Sequence, residues 1–317
     1  MKKQFNIEEL GELAKTSSSL PAGKFMVVGD LHASSTPPVS RGDDYIAAVF
    51  DKLNQINKIA SQEECQAIFF LGDLLHIKRQ AHGFINHLNM QLNRMYAPCF
   101  AIIGNHDEYN DDPDSLAKSP SGGLFVSGAL SWMDIVQIGS LKIKGYDYLP
   151  EMALEDCGCR AALAHAFLSH DFSKRGLLDS GSIEKSGVEL LFLGHDHKPY
   201  PPKEFGKCVI HRPGSVTRGS VHDYQMERVV QVAVADSETL EVKYHTLKVK
   251  KPEDIFRAKA LIEKEERNAV DVFVKSMGES LASKEEAEPV EKVLRKLTDE
   301  EEVINFCVKY CRESGVL

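Results

Sequence analysis

The sequence predicts a mixed α/β protein, two β-sheets packed as a sandwich with helices outside, followed by a mainly helical C-terminal region. Three observations carry this. Short apolar runs recur, and each ends abruptly in a polar signature built on Gly-Asp, Gly-Asn, Gly-His or His. Stretches with helical periodicity separate the first three runs. Beyond Gly123 the segments alternate as strands do, and beyond Pro252 strand signals give way to charged helical patterns.

The apolar runs come first. Phe25-Met26-Val27-Val28 leads into Gly29-Asp30-Leu31-His32, Ile68-Phe69-Phe70-Leu71 into Gly72-Asp73, and Phe100-Ala101-Ile102-Ile103 into Gly104-Asn105-His106-Asp107. Later, Ala161-Ala162-Leu163-Ala164 reaches His165, and Leu190-Leu191-Phe192-Leu193 leads into Gly194-His195-Asp196-His197. Four or five consecutive apolar residues read as strands buried on both faces. From Asp44 to Ala60 the positions Ile46, Val49, Phe50, Leu53, Ile56 and Ala60 trace one helical face, with Asp43 or Asp44 as the cap. A second helix is expected from about Ala81 to Tyr96, stopping before Pro98. Strand–helix–strand–helix–strand order calls for parallel pairing with right-handed crossovers. Residues 141–146, 229–234 and 240–244 alternate and read as further strands.

Composition sets the outer limits. The 317 residues are 43% hydrophobic and 27% charged, with a net charge of −9, which excludes a generally basic nucleic-acid coat but not a locally positive site. No apolar run approaches the ~18 residues of a membrane span, and the first residues do not resemble a secretory signal. Seven cysteines without regular spacing fit reduced thiols and a cytoplasmic protein. The expected organisation is an N-terminal extension (1–23), a catalytic domain (24–250), and a helical region (251–317) with 12 basic against 16 acidic residues.

The polar signatures sit where buried strands end, and such ends open onto one crevice in layered α/β folds. Taken singly, a Gly-Asp or a lone histidine is ordinarily a turn or a satisfied core residue. Five in order, each closing an apolar run, form a constellation of Asp30, His32, Asp73, Asn105, His106, His165, His195 and His197. Carboxylate, imidazole and amide donors suit borderline divalent ions such as Mn²⁺, Fe²⁺ or Zn²⁺ rather than a soft thiolate site. With Asp73 shared, the set supplies two ions with four ligands each. Two such ions against two carboxylates leave positive charge to hold an anionic phosphoryl group.

This ordered series resembles the calcineurin-like metallophosphoesterase superfamily over residues from about 25 to 247. The resemblance implies a four-layer αββα sandwich. It also implies that Asp30, His32, Asp73 and His197 hold one ion, while Asp73, Asn105, His165 and His195 hold the other. His106 would contact the phosphate and assist the leaving oxygen, a task to which an imidazole is suited.

Within the superfamily, Gly72-Asp73-Leu74-Leu75-His76 is similar to the SbcD-type DNA nuclease subunit, whose motif has Phe where Leu75 stands. There the residue matching His76 positions the substrate end; the alternative is a hydrogen bonder that only supports the ligands. His211-Arg212-Pro213-Gly214-Ser215 resembles the loop that follows the last ligands. Residues 198–228 hold six basic residues against three acids, so Arg212 and Arg218 are expected to bind phosphate around the mouth of the site.

The resemblance further implies a Mn²⁺-dependent nuclease with exonuclease and endonuclease action in DNA repair, recombination or replication. Mg²⁺, Fe²⁺ and Zn²⁺ are the other metals considered. Implied partners are DNA, an SbcC-like SMC-type coiled-coil ATPase and a second copy through two outer helices. Only 67 residues follow Lys250, short for a full cap plus a docking segment. Within them Thr298 to Cys311 reads as a capped amphipathic helix. The alternative reading is a small-molecule phosphoesterase such as a cyclic-nucleotide phosphodiesterase. A binding scaffold that lost catalysis is disfavoured by the intact ligand series. Cys157-x-Cys159 is read as incidental and Trp132 as a packing residue.

Overall fold

The computed structural model describes residues 13–108, 113–168, 176–257 and 260–262, together with 305, 308 and 309. The chain divides into two compact units, Met1–Ile255 and Phe256–Leu317. Of the expected helix from Thr298 to Cys311 only Asn305, Val308 and Lys309 are described, each helical; the rest of it and most of the C-terminal docking region lie outside the described residues.

In chain order the first unit begins with β1 (Thr16–Leu20) and β2 (Lys24–Val28), then α1 (Tyr45–Gln62), β3 (Ala67–Phe70), α2 (His82–Leu92) and β4 (Cys99–Ala101). A short 3₁₀ segment leads to α3 (Pro120–Val126), β5 (Ser131–Ile138), β6 (Leu141–Tyr146), β7 (Glu151–Met152) and β8 (Ala161–His165). There follow β9 (Phe167–Leu168), β10 (Leu177–Leu178), α4 (Ser180–Lys185), β11 (Leu190–Gly194), β12 (Tyr200–Phe205) and β13 (Cys208–Arg212). The unit closes with α5 (Asp223–Glu227), β14 (Gln231–Asp236), β15 (Val242–Thr246) and α6 (Pro252–Ile255).

Strands β2, β3 and β4 pair in parallel, as the alternation of strands and helices requires. Strand β14 joins β2 antiparallel and carries β15 on its far side. The other half of the sheet runs β12-β13-β11-β8-β6-β5. The two expected sheets are thus one hydrogen-bonded sheet of 12 strands among the described residues, with β1 off the main path beside β5. Strand β5 links the halves: Ser131 and Trp132 pair with β4, whereas Ile135–Ile138 pair with β6.

The period-2 rule sorts the apolar residues into three cores. Phe25 and Val27 point one way from β2, Met26 and Val28 the other; Phe69 and Phe70 do the same from β3. The central core joins Phe25, Phe69 and Phe100 to Met133, Ile143, Leu163 and Phe192 of the opposite half. The second core packs Met26, Ile68 and Phe70 under Val49, Leu53 and Ile56 of α1 and Leu88 of α2. The third covers Ala162, Ala164, Leu191 and Leu193 with Leu178 and Ile183. Three cores between four layers make the αββα sandwich.

Helix α1 begins where expected: the Asp44 carboxylate accepts the Ala47 N–H at 2.9 Å. Helix α2 is shorter than the sequence suggests. The chain turns after Asn93, and the Tyr96 N–H leaves for the Asn57 side chain at 2.6 Å. Within the expected N-terminal extension (1–23), residues 13–23 are described. Thr16–Leu20 is a strand, paired in parallel to the edge of β5. Its Thr-Ser-Ser-Ser-Leu sequence carries no apolar alternation, because its placement comes from free backbone groups on β5 rather than from burial. Among the described residues no helix is long and apolar enough to cross a membrane, and five described cysteines are unbridged.

Candidate metal centre

The candidate residues leave their strands on strained backbone. His32, Asp73 and His195 have positive φ values of 46°, 47° and 78°. Non-glycine residues rarely hold this region unless the surroundings fix them. The preceding glycines have a steric reason: a methyl group at Gly104 would overlap the Asp73 carboxylate, and one at Gly29 would overlap the Gly214 carbonyl.

The structure brings these ends together in two sharing groups. Donor atoms of Asp30, His32, Asp73 and His197 lie within 4.8 Å of one another, and so do those of Asp73, His165 and His195. Asp73 belongs to both. Its Oδ2 lies 3.6 Å from His32 Nε2 and its Oδ1 3.5 Å from His165 Nε2. His197 Nε2 stands 3.6 Å from Asp30 Oδ2. Asn105 joins the second group, its Oδ1 lying 3.3 Å from His165 Nε2.

Supporting bonds aim these donors. His165 Nδ1 lies 2.6 Å from the Leu71 carbonyl, so Nδ1 carries the proton and Nε2 presents its lone pair. The His195 N–H donates to Asp30 Oδ1 at 3.1 Å, and the His106 N–H to Asp73 Oδ1 at 2.9 Å. Asp107 fastens two loops. Its carboxylate accepts the N–H groups of Gly104 and Leu74 at 3.0 Å and the Ser121 hydroxyl at 2.9 Å.

The electrostatics call for cations. Burial and the neighbouring Asp73 charge push the Asp30 carboxyl well above its ordinary range, and burial raises Asp73 to about 6. Burial presses His165 down to about 4 and both His195 and His197 to about 3, and it lowers His32 as well. All four imidazoles are therefore neutral at pH 7. His32 Nε2 and His197 Nε2 nevertheless face each other at 2.7 Å, and Asp30 Oδ2 and His32 Nδ1 are buried without a hydrogen-bond partner. Neutral imidazole lone pairs converging on paired carboxylates fit divalent ions of the borderline class.

His106 and His76 stand beside this cluster. The His106 ring lies 5.0 Å from that of His32 and stacks on His76 at 5.9 Å. His106 Nδ1 is 2.8 Å from the His76 carbonyl, which leaves Nε2 free to act. The half-buried His76 ring is 5.4 Å from His32, so the structure gathers both with the metal-binding candidates.

The arginines are a correction. Arg212 and Arg218 are each only 7% exposed and do not form a basic rim. Arg212 stacks on Tyr200, 3.8 Å from the ring centroid, and Arg218 donates to the Arg228 carbonyl at 2.8 Å. Charge counted along a segment does not reveal which side chains turn inward. The arginine that bears on the cluster is Arg228, whose charge helps to keep His197 neutral. It donates to the Ser215 hydroxyl at 2.9 Å and so pins the loop beside the ligands. Sequence reasoning also passed over Tyr148, which lies 5.4 Å from His195 ring to ring. Asp147 was passed over too; it accepts the Ile103 N–H at 2.8 Å and the Trp132 indole N–H at 3.1 Å. Neither carries a motif that could have marked it.

The family model described as calcineurin-like phosphoesterase matches residues 23–199. No curated protein matches the sequence. Among solved structures, a dimetal phosphatase from Danio rerio aligns over 71% of this chain and 96% of its own, with 12% identity and a TM-score of 0.52. The TT1561 protein of Thermus thermophilus aligns over 72% of this chain and 100% of its own, with 10% identity and a TM-score of 0.46. Vps29 of Chaetomium thermophilum covers 73% and 100%, with 17% identity and a TM-score of 0.35.

Proposed function

This chain belongs to the calcineurin-like phosphoesterase family, a metal-dependent hydrolase of phosphoesters, and on that premise we propose that its substrate is the phosphodiester backbone of DNA. The observation that carries this reading is the place of His76. The histidine of the Gly-Asp-Leu-Leu-His motif stacks on His106 and faces His32, where it can steer one side of a phosphodiester.

Asp30, His32, Asp73 and His197 would hold one divalent ion and Asp73, Asn105, His165 and His195 the other; this mixed imidazole and carboxylate set suits Mn²⁺, Fe²⁺ or Zn²⁺, and suits Mg²⁺, which prefers oxygen donors, less well. When bound, the ions supply positive charge to the phosphoryl oxygens and lower the pKa of water. The chain's own groups do the rest. Asn105 and His106 bind the non-bridging oxygens. His106, with its Nδ1–H held by the His76 carbonyl, would act as the imidazolium, giving its Nε2 proton to the departing oxygen and remaining as the neutral Nδ1–H imidazole. His76 orients the strand end. Neutral imidazoles give affinity without cancelling the charge that attracts the substrate.

The SbcD-type motif also supports partnership with an SMC-type coiled-coil ATPase through residues 251–317. The second reading, a small-molecule phosphoesterase such as a cyclic-nucleotide phosphodiesterase, is favoured by one observation. Arg212 and Arg218 are buried, which removes the basic rim expected to meet a polymer.

One experiment separates the two. The purified chain is mixed with end-labelled duplex DNA, or with a cyclic nucleotide, under Mn²⁺, Mg²⁺ or chelator. Mn²⁺-dependent shortening of DNA is the expected result. Turnover of the cyclic nucleotide with intact DNA would replace the nuclease reading by the second.

A further inference from the structure

A cavity of about 390 Å³ lies between the first turns of α1, residues 216–218 and residues 248–250 with Ile255. None of the metal-binding candidates lines it. It sits directly behind their loop. The Tyr45 hydroxyl donates to the His32 carbonyl at 2.7 Å, the Thr217 hydroxyl to the Leu31 carbonyl at 3.1 Å, and the Val216 N–H to the Asp30 carbonyl at 3.0 Å.

The walls are two-natured. Ala47, Ala48, Val216, Val249 and Ile255 give an apolar surface. The polar side carries five cations, Arg41, Lys52, Arg218, Lys248 and Lys250, against three carboxylates. Each carboxylate is already engaged. Asp43 pairs with Arg41 at 2.7 Å, Asp44 caps α1, and Asp51 accepts from Lys52 at 3.0 Å. Among the described residues no carboxylate pairs with Arg218, Lys248 or Lys250.

Arg218 is the telling group. Its guanidinium is buried beside that of Arg41, which donates to the Arg218 carbonyl, and its Nε is buried without a hydrogen-bond partner. Burial and the Arg41 charge both lower its affinity for its proton. Arg218 lines the cavity, and a buried cation that no carboxylate meets is costly unless another anion does. The volume falls in the range of small-molecule sites, and the lining has their usual mixture of apolar surface and a few polar groups.

We propose that this cavity binds a small organic anion, with a phosphate or carboxylate head held by Arg218, Lys248 and Lys250 and an apolar body against Ala47, Ala48 and Val249. The site is independent of the catalytic reading above and is tested without metal.

Isothermal calorimetry on the chelator-treated full chain uses 1-naphthyl phosphate and 1-naphthoate as anionic probes and 1-naphthol as their neutral counterpart. Saturable binding of at least one anion is expected, with 1-naphthol weaker by more than about tenfold. The head group that binds more tightly identifies the ligand's chemistry. Arg218→Gln is expected to weaken binding by more than about tenfold. Ala47→Trp should do the same from an exposed position of α1 where folding is not at stake. Asp73→Asn should leave it unchanged. The proposal is overturned by absence of saturable binding to the wild-type chain, by equal affinity for 1-naphthol, by unchanged affinity in Ala47→Trp, or by loss of binding in Asp73→Asn.

Discussion

The two halves of the sandwich contribute opposite chemistry to one site. The half built on β2, β3 and β4 provides both carboxylates of the cluster, Asp30 and Asp73, with His32, Asn105 and His106. The half built on β8 and β11 provides only the imidazoles His165, His195 and His197. The first side accumulates buried negative charge, and the second supplies neutral lone pairs. They are tied across the gap by the His195 N–H on Asp30 and by His165 Nδ1 on the Leu71 carbonyl. Neither half is a metal site alone. The charge that holds an ion comes from one side and much of the coordination from the other.

The comparison breaks most readily at Asp73, which serves both groups. Asp73→Asn is expected to lower turnover of a phosphodiester by about a thousandfold or more and to abolish the rise in melting temperature produced by Mn²⁺. Initial rates and thermal melts check this, and retained activity would refute the assignment. His195→Gln, on the other side, removes a lone pair but no charge. Its Mn²⁺ affinity should fall by at least the roughly 10–100-fold that loss of a ligand's supporting partner costs, with turnover regained at higher Mn²⁺, as a metal titration of the rate would show.

The pH dependence of the metal-free protein sharpens the contrast. Asp73, raised to about 6, keeps its proton in the folded chain where the unfolded chain has lost it. Its penalty therefore grows as pH rises through that window. Below its ordinary value of 3.8 the penalty is gone. His195, lowered to about 3, behaves inversely: its penalty is absent above about 6.5 and grows as pH falls. Metal-free Asp73→Asn should thus be more stable than the wild type at about pH 8, by about 2–3 kcal/mol, and equal to it below about pH 4. His195→Gln should gain at about pH 4 and not at about pH 8. Denaturant melts at both pH values decide it; the same sign for both variants would contradict the division.

Smaller effects follow further out. Asp107→Asn turns an amide N–H toward the Gly104 N–H that the carboxylate now accepts, at a cost of about 1–3 kcal/mol in unfolding free energy. The exposed Arg160–Glu189 pair on the imidazole side, bidentate at 2.6 and 2.9 Å, is the contrast. Arg160→Ala should change stability by less than about 1 kcal/mol.

Much of this could be read along the chain. Helix α1 and its Asp44 cap follow from spacing, and the parallel β2, β3 and β4 follow from apolar runs separated by helical patterns. The glycines of the strand-end signatures were legible as motif. Their steric reason, contact with Asp73 and with Gly214, was not, since it depends on loops 31 and 185 positions away. Strand β1 is not legible in the sequence because edge pairing leaves no apolar pattern. Arg212 and Arg218 were misplaced because inward or outward direction is a property of the packed molecule.

By itself the sequence determined where the candidate ligands lie along the chain, because buried strands must be apolar and can turn polar only where they end. The tertiary structure alone decided how those ends combine. Folding the 12-stranded sheet face to face put the side with both carboxylates against a side of imidazoles alone. It also set Asp107, Asp147 and Arg228 as supports and left a cationic cavity behind the ligand loop. Those outcomes rest on contacts between segments far apart in the chain, whose distances and burial no local pattern encodes.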